Sequence, residues 1–448
     1  MIHSLPDLAD RLLQAAKSAG ADAADAILVA GASASIDVRA GALEQAERAE
    51  STDLGLRVFI GNRQANVSAS DTKDETIREM AERAVTMARI APEDPYAGLA
   101  APEQLATDLD TERLDLVDGS PEPDPARLQS WAEEAEAAAL AVDGVTQVQS
   151  ASATYGSRSV HLATSAGFSA GYDGTGCSVS CVAISGTGTG MERDYDFDSR
   201  THMADLRSPA EIGRRAAERA VARHGARKPA TGSYPVLFDE RISSSLIGHL
   251  LQAINGTAIA RGSSWLLDGL GKEVLPTDLS LVESPHRARV QGSRLFDAEG
   301  LPTRRRAIVE NGVLTGWTLD LATGRKLDMD STGNAARGVS APPSPGVTHV
   351  ALTQGERSRE DLIAQMGTGL LVTSMIGSTI NPNTGDYSRG ASGFWVENGE
   401  IAYPVNECTI AGNLRDMLRR IVPANDAQTH LSRVVPSLLI DGLTLAGN

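Results

Sequence analysis

The chain has 448 residues, of which 41% are hydrophobic, 22% charged and only 4% aromatic, and it carries a formal net charge of −17. That length exceeds what one core supports, so two or three globular domains are expected, their interiors built mainly from Ala, Leu, Ile and Val. The acidity, with no long Lys/Arg run to offset it, repels a phosphate backbone and sets nucleic acid aside as a partner.

Residues 6–18 place Leu8, Leu12, Leu13 and Ala16 at helical spacing. Short β-like runs follow at 26–30, 34–39, 54–60 and 64–68, with Gly61-Asn62 as a turn between the last two. Asp71 or Thr72 is placed to cap a helix over 74–90 that turns Ile77, Met80, Ala81, Ala84, Val85 and Met87 inward. The stretch 91–124, rich in Pro, Asp and Glu, reads as a linker crossing the surface. An Ala- and Glu-rich helix over 125–142 opens a second block. A β-meander to about residue 190 follows, then a helix over 210–224 capped by Ser208. The glycine run 185–190 misses both dinucleotide and Walker spacing and precedes no helix, so it is a turn.

The third block begins with a strand over 234–238 and the helix 240–255, ERISSSLIGHLLQAIN, with Asp239 as N-cap and Gly256 as stop. Val-Glu-Asn-Gly then occurs twice, at 309–312 and 396–399. Asn-Gly between β-formers is a strong signal for a tight hairpin, because both turn residues need positive φ. The expected fold class is α+β: N-terminal α/β-type sandwich regions followed by a β-rich, barrel-like C-terminal domain. The expected boundaries are 1–110, 111–226 and 227–448. The start, MIHSLPDLADRLL, has no basic n-region, and the longest apolar runs fall short of a membrane span. Three cysteines without a CxxC pair, Cys177, Cys181 and Cys408, read as buried thiols of a reduced, cytoplasmic protein.

His249 lies at the edge of the apolar face formed by Ile242, Leu246, Leu250 and Ala253. Ser245, four residues before it, can touch the imidazole, but there is no G-x-S-x-G elbow and no evident oxyanion hole. Asp328 and Asp330 beside Lys326 read as solvated loop, and Arg304–Arg306 as a charged strand edge. Asp386, Tyr387 and Arg389, set among Gly385, Gly390 and Gly393, have the make-up of a platform that holds an extended peptide through main-chain hydrogen bonds. The same glycines suit turns between barrel strands equally well.

LGLRVFIG at 54–61, MERDY at 191–195, GHL at 248–250, LLDGLGK at 266–272, FDAEG at 296–300 and, above all, residues 385–413 resemble the TldD/PmbA family. The resemblance covers nearly the whole chain and is greatest to the PmbA (TldE) branch. It implies a cytosolic zinc metallopeptidase assembly in which a TldD-type and a TldE-type chain enclose a chamber for unfolded peptides, bacteriocin precursors and an antitoxin among them. An older label for the family is "modulator of DNA gyrase". TldD-type chains carry His-Glu-x-x-x-His and a Cys near the C-terminus. With the second His laid on His249, the other two positions hold Ser244 and Ser245, and residues 431–448 contain no Cys. Zinc needs three protein ligands, an open site and a base to take a proton from water.

The resemblance therefore implies a chain that binds no cofactor and has no catalytic residue of its own, the zinc being expected in a partner subunit. His249, Asp386, Tyr387, Arg389 and Trp395 become candidates for lining the peptide chamber. Implied partners are a TldD-type subunit in a heterodimer, or a second copy in a homodimer, and unfolded peptides, with neither nucleic acid nor membrane. The alternative is a non-enzymatic binding regulator in a toxin–antitoxin or gyrase-linked system.

Overall fold

The structure, a computed structural model, describes residues 4–447. Six strands, β1 (Ala23–Arg39), β2 (Ala42–Ile60), β3 (Arg63–Ala69), β4 (Val145–Thr164), β5 (Ser169–Ser185) and β6 (Glu192–Arg200), form one antiparallel sheet in the order β3-β2-β1-β4-β5-β6. The first two sequence blocks thus share a single sheet. Helices α1 (Leu5–Ala19), α2 (Asp74–Ile90), α3 (Pro125–Leu140) and α4 (Pro209–Ala222) pack on one face of it. Alternation along β1 explains why: Ala24, Ala26 and Leu28 meet α1 and α2, while Ala34 and Ile36 meet α3 and α4. The helices lie close because the contacts are small. A Cβ at Gly213 of α4 would fall 1.9 Å from the carbonyl oxygen of Ala135 in α3.

Several local expectations change. The runs at 26–30 and 34–39 are one strand, and the run at 54–60 reaches back to Ala42. Residues 42–50, ALEQAERAE, are exposed on both faces and leave no apolar period of two to read. The N-cap of α2 is Lys73 with no side-chain bond; Asp71 instead accepts from Lys73 N at 3.2 Å and Thr76 Oγ1 at 2.8 Å. Met87 faces solvent and Ala88 takes the inward place. The stretch 91–124 is no surface linker. Ala106, Leu114 and Leu116 are buried between the helix-free face of the sheet and Leu295 and Phe296.

The C-terminal half opens with β7 (Gly232–Phe238) and α5 (Glu240–Ala253). Asn255 caps a further short helix, α6 (Gly256–Ala260), so Gly256 begins a helix rather than ending α5. Strands β8 (Leu281–Glu283), β9 (Arg306–Glu310) and β10 (Val313–Leu314) come next. They are followed by α7 (Leu321–Lys326), the pair β11 (Ala335–Ala336) and β12 (Ser344–Pro345), β13 (Val350–Leu352) and α8 (Arg359–Met366). The long strands are β14 (Gly369–Ile380), β15 (Asp386–Glu397) and β16 (Glu400–Asn413). After α9 (Leu414–Leu418), β17 (Val422–Pro423) and β18 (Arg433–Val434) comes β19 (Leu438–Ala446).

Strands β16, β15, β14, β7 and β19 pair in that order, and β19 pairs back onto β16, closing a five-stranded barrel. Only β7 and β14 run parallel within it. One large core joins α5, the smaller sheet β10-β9-β8-β13-β18 and one face of the barrel strands, including Val236, Phe238, Leu370 and Leu438. The opposite face, with Leu237, Leu371 and Leu439, packs on α8. Both Asn-Gly turns are as expected, with φ of 48° and 81° at Asn311 and Gly312 and of 54° and 78° at Asn398 and Gly399. Among the described residues no helix is long and apolar enough to cross a membrane.

Candidate functional site

Polar chemistry concentrates along α5. The helix starts where Asp239 accepts the N–H of Arg241 at 3.3 Å, and its apolar stripe is buried in the large core. Two of the three serines spend their hydroxyls on main-chain carbonyls. Ser243 donates toward Glu240 O (3.3 Å) and Val435 O (3.4 Å), and Ser245 donates to Ile242 O at 2.7 Å. Ser245 is therefore not activated by His249, and the sequence argument against a serine nucleophile gains a geometric one. The imidazole of His249 meets the ring of Tyr387 on β15 edge-on, centroids 6.1 Å apart, and its Nε2 is buried without a hydrogen-bond partner. Burial, then the nearby guanidinium of Arg389 and that of Arg433, hold its pKa below the ordinary histidine value, against an opposing hydrogen bond that the ring donates to Gln252.

Tyr387 is buried, its hydroxyl donating to Met375 Sδ at 3.3 Å, and burial pushes its pKa up to about 12. Arg389 donates through Nε to Gly377 O at 2.7 Å, which fixes the guanidinium beside this pair. Arg433 reaches the cluster from β18. Its Nη1 lies where residue 248 has no side chain, 2.9 Å from the position a Cβ would take, so Gly248 makes the room.

At its N-terminal end the same helix is tied into an ion-pair ladder. Asp194, Asp196 and Asp198 alternate along β6 and point inward, while Tyr195 and Phe197 point out and stack 6.2 Å apart. This reverses the usual strand pattern, and the partners explain it. Arg215, Arg219 and Arg223 recur every four residues on α4, a spacing of about 6 Å, against about 6.6 Å for alternate strand residues. Asp196 meets Arg219 at 2.7 Å and Arg207 at 2.8 Å, and Asp194 meets Arg223 at 3.4 Å and Arg241 at 2.9 Å. Arg241 also holds Asp239 at 3.1 Å, and Asp239 in turn holds Arg359 of α8 at 3.0 Å. Between ladder and helix lies a small cleft of about 70 Å³ lined by Tyr195, Phe197, Ser244 and Arg433.

Family models match three consecutive parts of the chain: PmbA/TldA metallopeptidase domain 1 at 24–88, the central domain at 118–223 and the C-terminal domain at 231–447. The metalloprotease PmbA of Escherichia coli O157:H7 is 38% identical over 417 residues, covering 92% of this chain and 90% of that one. The chain belongs to the PmbA/TldD family. The metalloprotease PmbA homolog of Haemophilus influenzae is 37% identical, with 97% and 94% covered. A solved Bacteroides thetaiotaomicron protein, described as a candidate modulator of DNA gyrase, superposes with a TM-score of 0.91 at 27% identity over 98% of both chains. TldE of Thermococcus kodakarensis, 20% identical over 98% of this chain and 100% of its own, shares the fold with a TM-score of 0.85.

Zinc is the metal that the PmbA/TldD resemblance implies, and the residues at the middle of α5 do not fit it. A single imidazole stands there with two serines and two guanidinium groups, and among the described residues no three His, Cys, Asp or Glu side chains converge as a metal site. The buried cysteines supply no ligand either. Burial pushes Cys177 and Cys181 up to about 12 and Cys408 to about 11, which marks them as inert thiols.

Of the residues singled out in sequence, the structure brings His249, Tyr387 and Arg389 together. Asp386 turns to solvent on the other face of β15, bound to Thr384 Oγ1 (2.7 Å) and Asn413 Nδ2 (3.1 Å). Trp395 lies eight residues beyond Tyr387, roughly 25 Å along an extended strand, and belongs to a separate aromatic group. There its ring meets Tyr234 edge-on at 4.9 Å and stacks on Tyr403 at 6.3 Å, with Arg227 3.6 Å over Tyr403. Sequence reasoning missed Arg433 and the aspartate ladder. The Asp-x-Asp-x-Asp run and the four-residue arginine spacing were legible signals for the ladder, whereas Arg433 has no local signature. Asp328 and Asp330 are exposed, and Arg306 is structural, donating to Glu283 at 2.8 Å and Thr318 Oγ1 at 2.9 Å. A cleft of about 570 Å³ on the helix-free face of the first sheet is lined mainly by Gly, Ser, Ala and Thr and lacks a constellation suited to hydrolysis.

Proposed function

We propose that this chain is the peptide-holding and partner-binding subunit of a TldD/TldE-type zinc metallopeptidase that degrades unfolded peptides in the cytoplasm, and that it does not itself carry the metal. The observation that carries the reading is the make-up of α5 in a member of the family: Ser244, Ser245 and a lone His249 at the positions where a TldD-type chain would hold zinc. Neutral hydroxyls replace neither an imidazole ligand nor a carboxylate base. Holding a peptide asks less of a site than cutting one. The exposed aromatic shelf at Tyr195 and Phe197 offers apolar contacts that tolerate many sequences. Residues 42–50 of β2, exposed on both faces and paired only to β1, supply surface for a partner subunit.

Native mass spectrometry of the complex purified from its own cells, with metal quantitation, tests this. The expected result is a heteromer containing a second chain with His-Glu-x-x-x-His and one zinc per pair. A purified single chain that bound stoichiometric zinc and cleaved unfolded peptide unaided would overturn it. A second reading, a non-enzymatic regulator in a gyrase-linked or toxin–antitoxin system, is favoured by the structural likeness to a candidate gyrase modulator. Affinity capture that returned such a target and never a zinc-bearing chain would support it.

A further inference from the structure

Two segments singled out in the sequence, 54–61 and 296–300, meet where the C-terminal half rests on the first sheet. The approach is close because β2 has no side chain at Gly55, where a Cβ would fall 2.4 Å from Val339 O; Asn66 Nδ2 donates to the same carbonyl at 3.2 Å. Beside this contact four carboxyl groups, of Asp25, Asp297, Glu299 and Asp320, are buried with the guanidinium groups of Arg57 and Arg337. Both cations go to one acid. Arg57 donates to Asp25 through Nε at 2.9 Å and also through Nη2, and Arg337 Nη1 donates to the other oxygen of Asp25 at 2.6 Å. Asp297 is satisfied by main chain, accepting the N–H of Glu299 (2.9 Å), Leu301 (3.0 Å) and Ala335 (2.9 Å). Asp320 accepts from Thr323 N at 2.8 Å and Thr323 Oγ1 at 2.6 Å. Glu299 is the exception. One of its oxygens accepts Leu321 N at 2.9 Å, while the other has only Arg57 Nη2 at 3.9 Å, beyond hydrogen-bond reach. A carboxylate with so few donors is not stable when buried, so Glu299 keeps its proton.

We propose that the Glu299 carboxyl is a proton-held latch between the first sheet and the C-terminal half. With the proton on, Asp25 keeps both guanidinium groups and the chain at 335–339 stays seated on β2. With the proton lost to water, the new anion competes with Asp25 for Arg57. Arg337, whose Nε and Nη2 are buried without partners, has no second hold to keep the segment down. The segment then lifts and the charge is hydrated. The direction follows from the groups that face Glu299. Burial, then the Asp297 carboxylate in its own turn, raise its pKa, and Asp320 at the start of α7 adds to them; Arg57 on β2 and the Leu321 N–H oppose. A carboxyl raised in this way favours the closed joint fully below its unfolded value of about 4.3. That contribution is lost as pH climbs to the raised value of the closed form, above which opening responds no further. The latch needs neither a bound peptide nor a partner subunit, so it stands apart from the peptide-holding reading.

The test is hydrogen exchange read by mass spectrometry on the full chain across neutral and mildly alkaline pH. After correction for the intrinsic pH dependence of exchange, peptides covering 296–301 and 333–346 are expected to gain up to about tenfold in exchange per pH unit and then level off. The hairpin at 394–403, which lies outside the joint, should show no such gain. Glu299→Gln keeps the shape of the protonated side chain and should exchange slowly and evenly over the whole range. Should that variant fail to fold, infrared spectroscopy of the wild type replaces it: the carbonyl band of a buried protonated acid is expected at neutral pH and should disappear over the interval in which exchange rises. A wild type with no pH-dependent gain at 333–346, a Glu299→Gln variant with the same gain, or the lack of a buried-acid band would each overturn the latch.

Discussion

The two ends of α5 teach opposite lessons about the same side chains. At its N-terminus, Arg241 sits in a lattice where every aspartate of β6 meets at least one cation and Asp239 is shared between Arg241 and Arg359. Two turns later, His249 has an empty nitrogen and two arginines without carboxylates. The first cluster is finished; its groups hold the sheet, α4, α5 and α8 in register. The second is left with an unsatisfied buried nitrogen, at a cost in stability.

That contrast yields graded expectations. The largest effect belongs to the finished end. Asp194→Ala removes the carboxylate that Arg223 and Arg241 share, leaving Arg223 to Glu192 and Arg241 to Asp239, and should cost about 1.5–3 kcal/mol by urea denaturation; a loss below about 1 kcal/mol would mean the ladder is decorative. Next comes the pH dependence of the same end. Burial, then the adjacent Asp239 carboxylate, raise the pKa of Glu240, against a hydrogen bond from Gln428. A raised carboxyl pKa stabilises the fold only while the group is protonated. The contribution is complete below the unfolded value of about 4.3 and is lost as pH climbs through the raised folded value. Denaturation midpoints measured across that window should fall with pH in wild type and fall less in Glu240→Gln; parallel curves would remove Glu240 from the account.

The open end should respond in the other direction. His249→Leu discards an unsatisfied buried nitrogen and is expected to change stability by no more than about 1 kcal/mol, in either direction. A loss of several kcal/mol would show that His249 is a structural residue after all. Smallest of all, Ser245→Ala removes a hydroxyl that only back-bonds to Ile242 O and should shift stability by less than about 0.5 kcal/mol and leave activity of the assembly unchanged. Loss of activity there would reopen the serine reading.

What the chain revealed before its structure followed from how local each cause is. The Asn-Gly hairpins, the Ser208 cap and the apolar stripe of α5 depend on residues within a few positions of one another, and all appear as read. The strand from Ala42 to Asp53 was invisible because exposure on both faces removes the alternation that identifies a strand. Met87 went to the wrong side because a helix can roll by one residue, and Ala88 fills the seat as well. His249, Tyr387 and Arg389 were legible as residues worth watching. Their meeting was not, since β15 and α5 are joined only through the barrel. Arg433 lay outside any local rule.

Barrel closure also sets an order of events. Strand β7 is finished at Phe238, yet both of its neighbours, β14 and β19, lie more than a hundred residues further along. A growing chain therefore completes the antiparallel sheet of its first half while β7 still presents two bare edges to the cell. One edge is covered when Gly369–Ile380 arrives, and the other stays exposed until Leu438–Ala446 does. A chain interrupted before that point would expose an aggregation-prone strand edge.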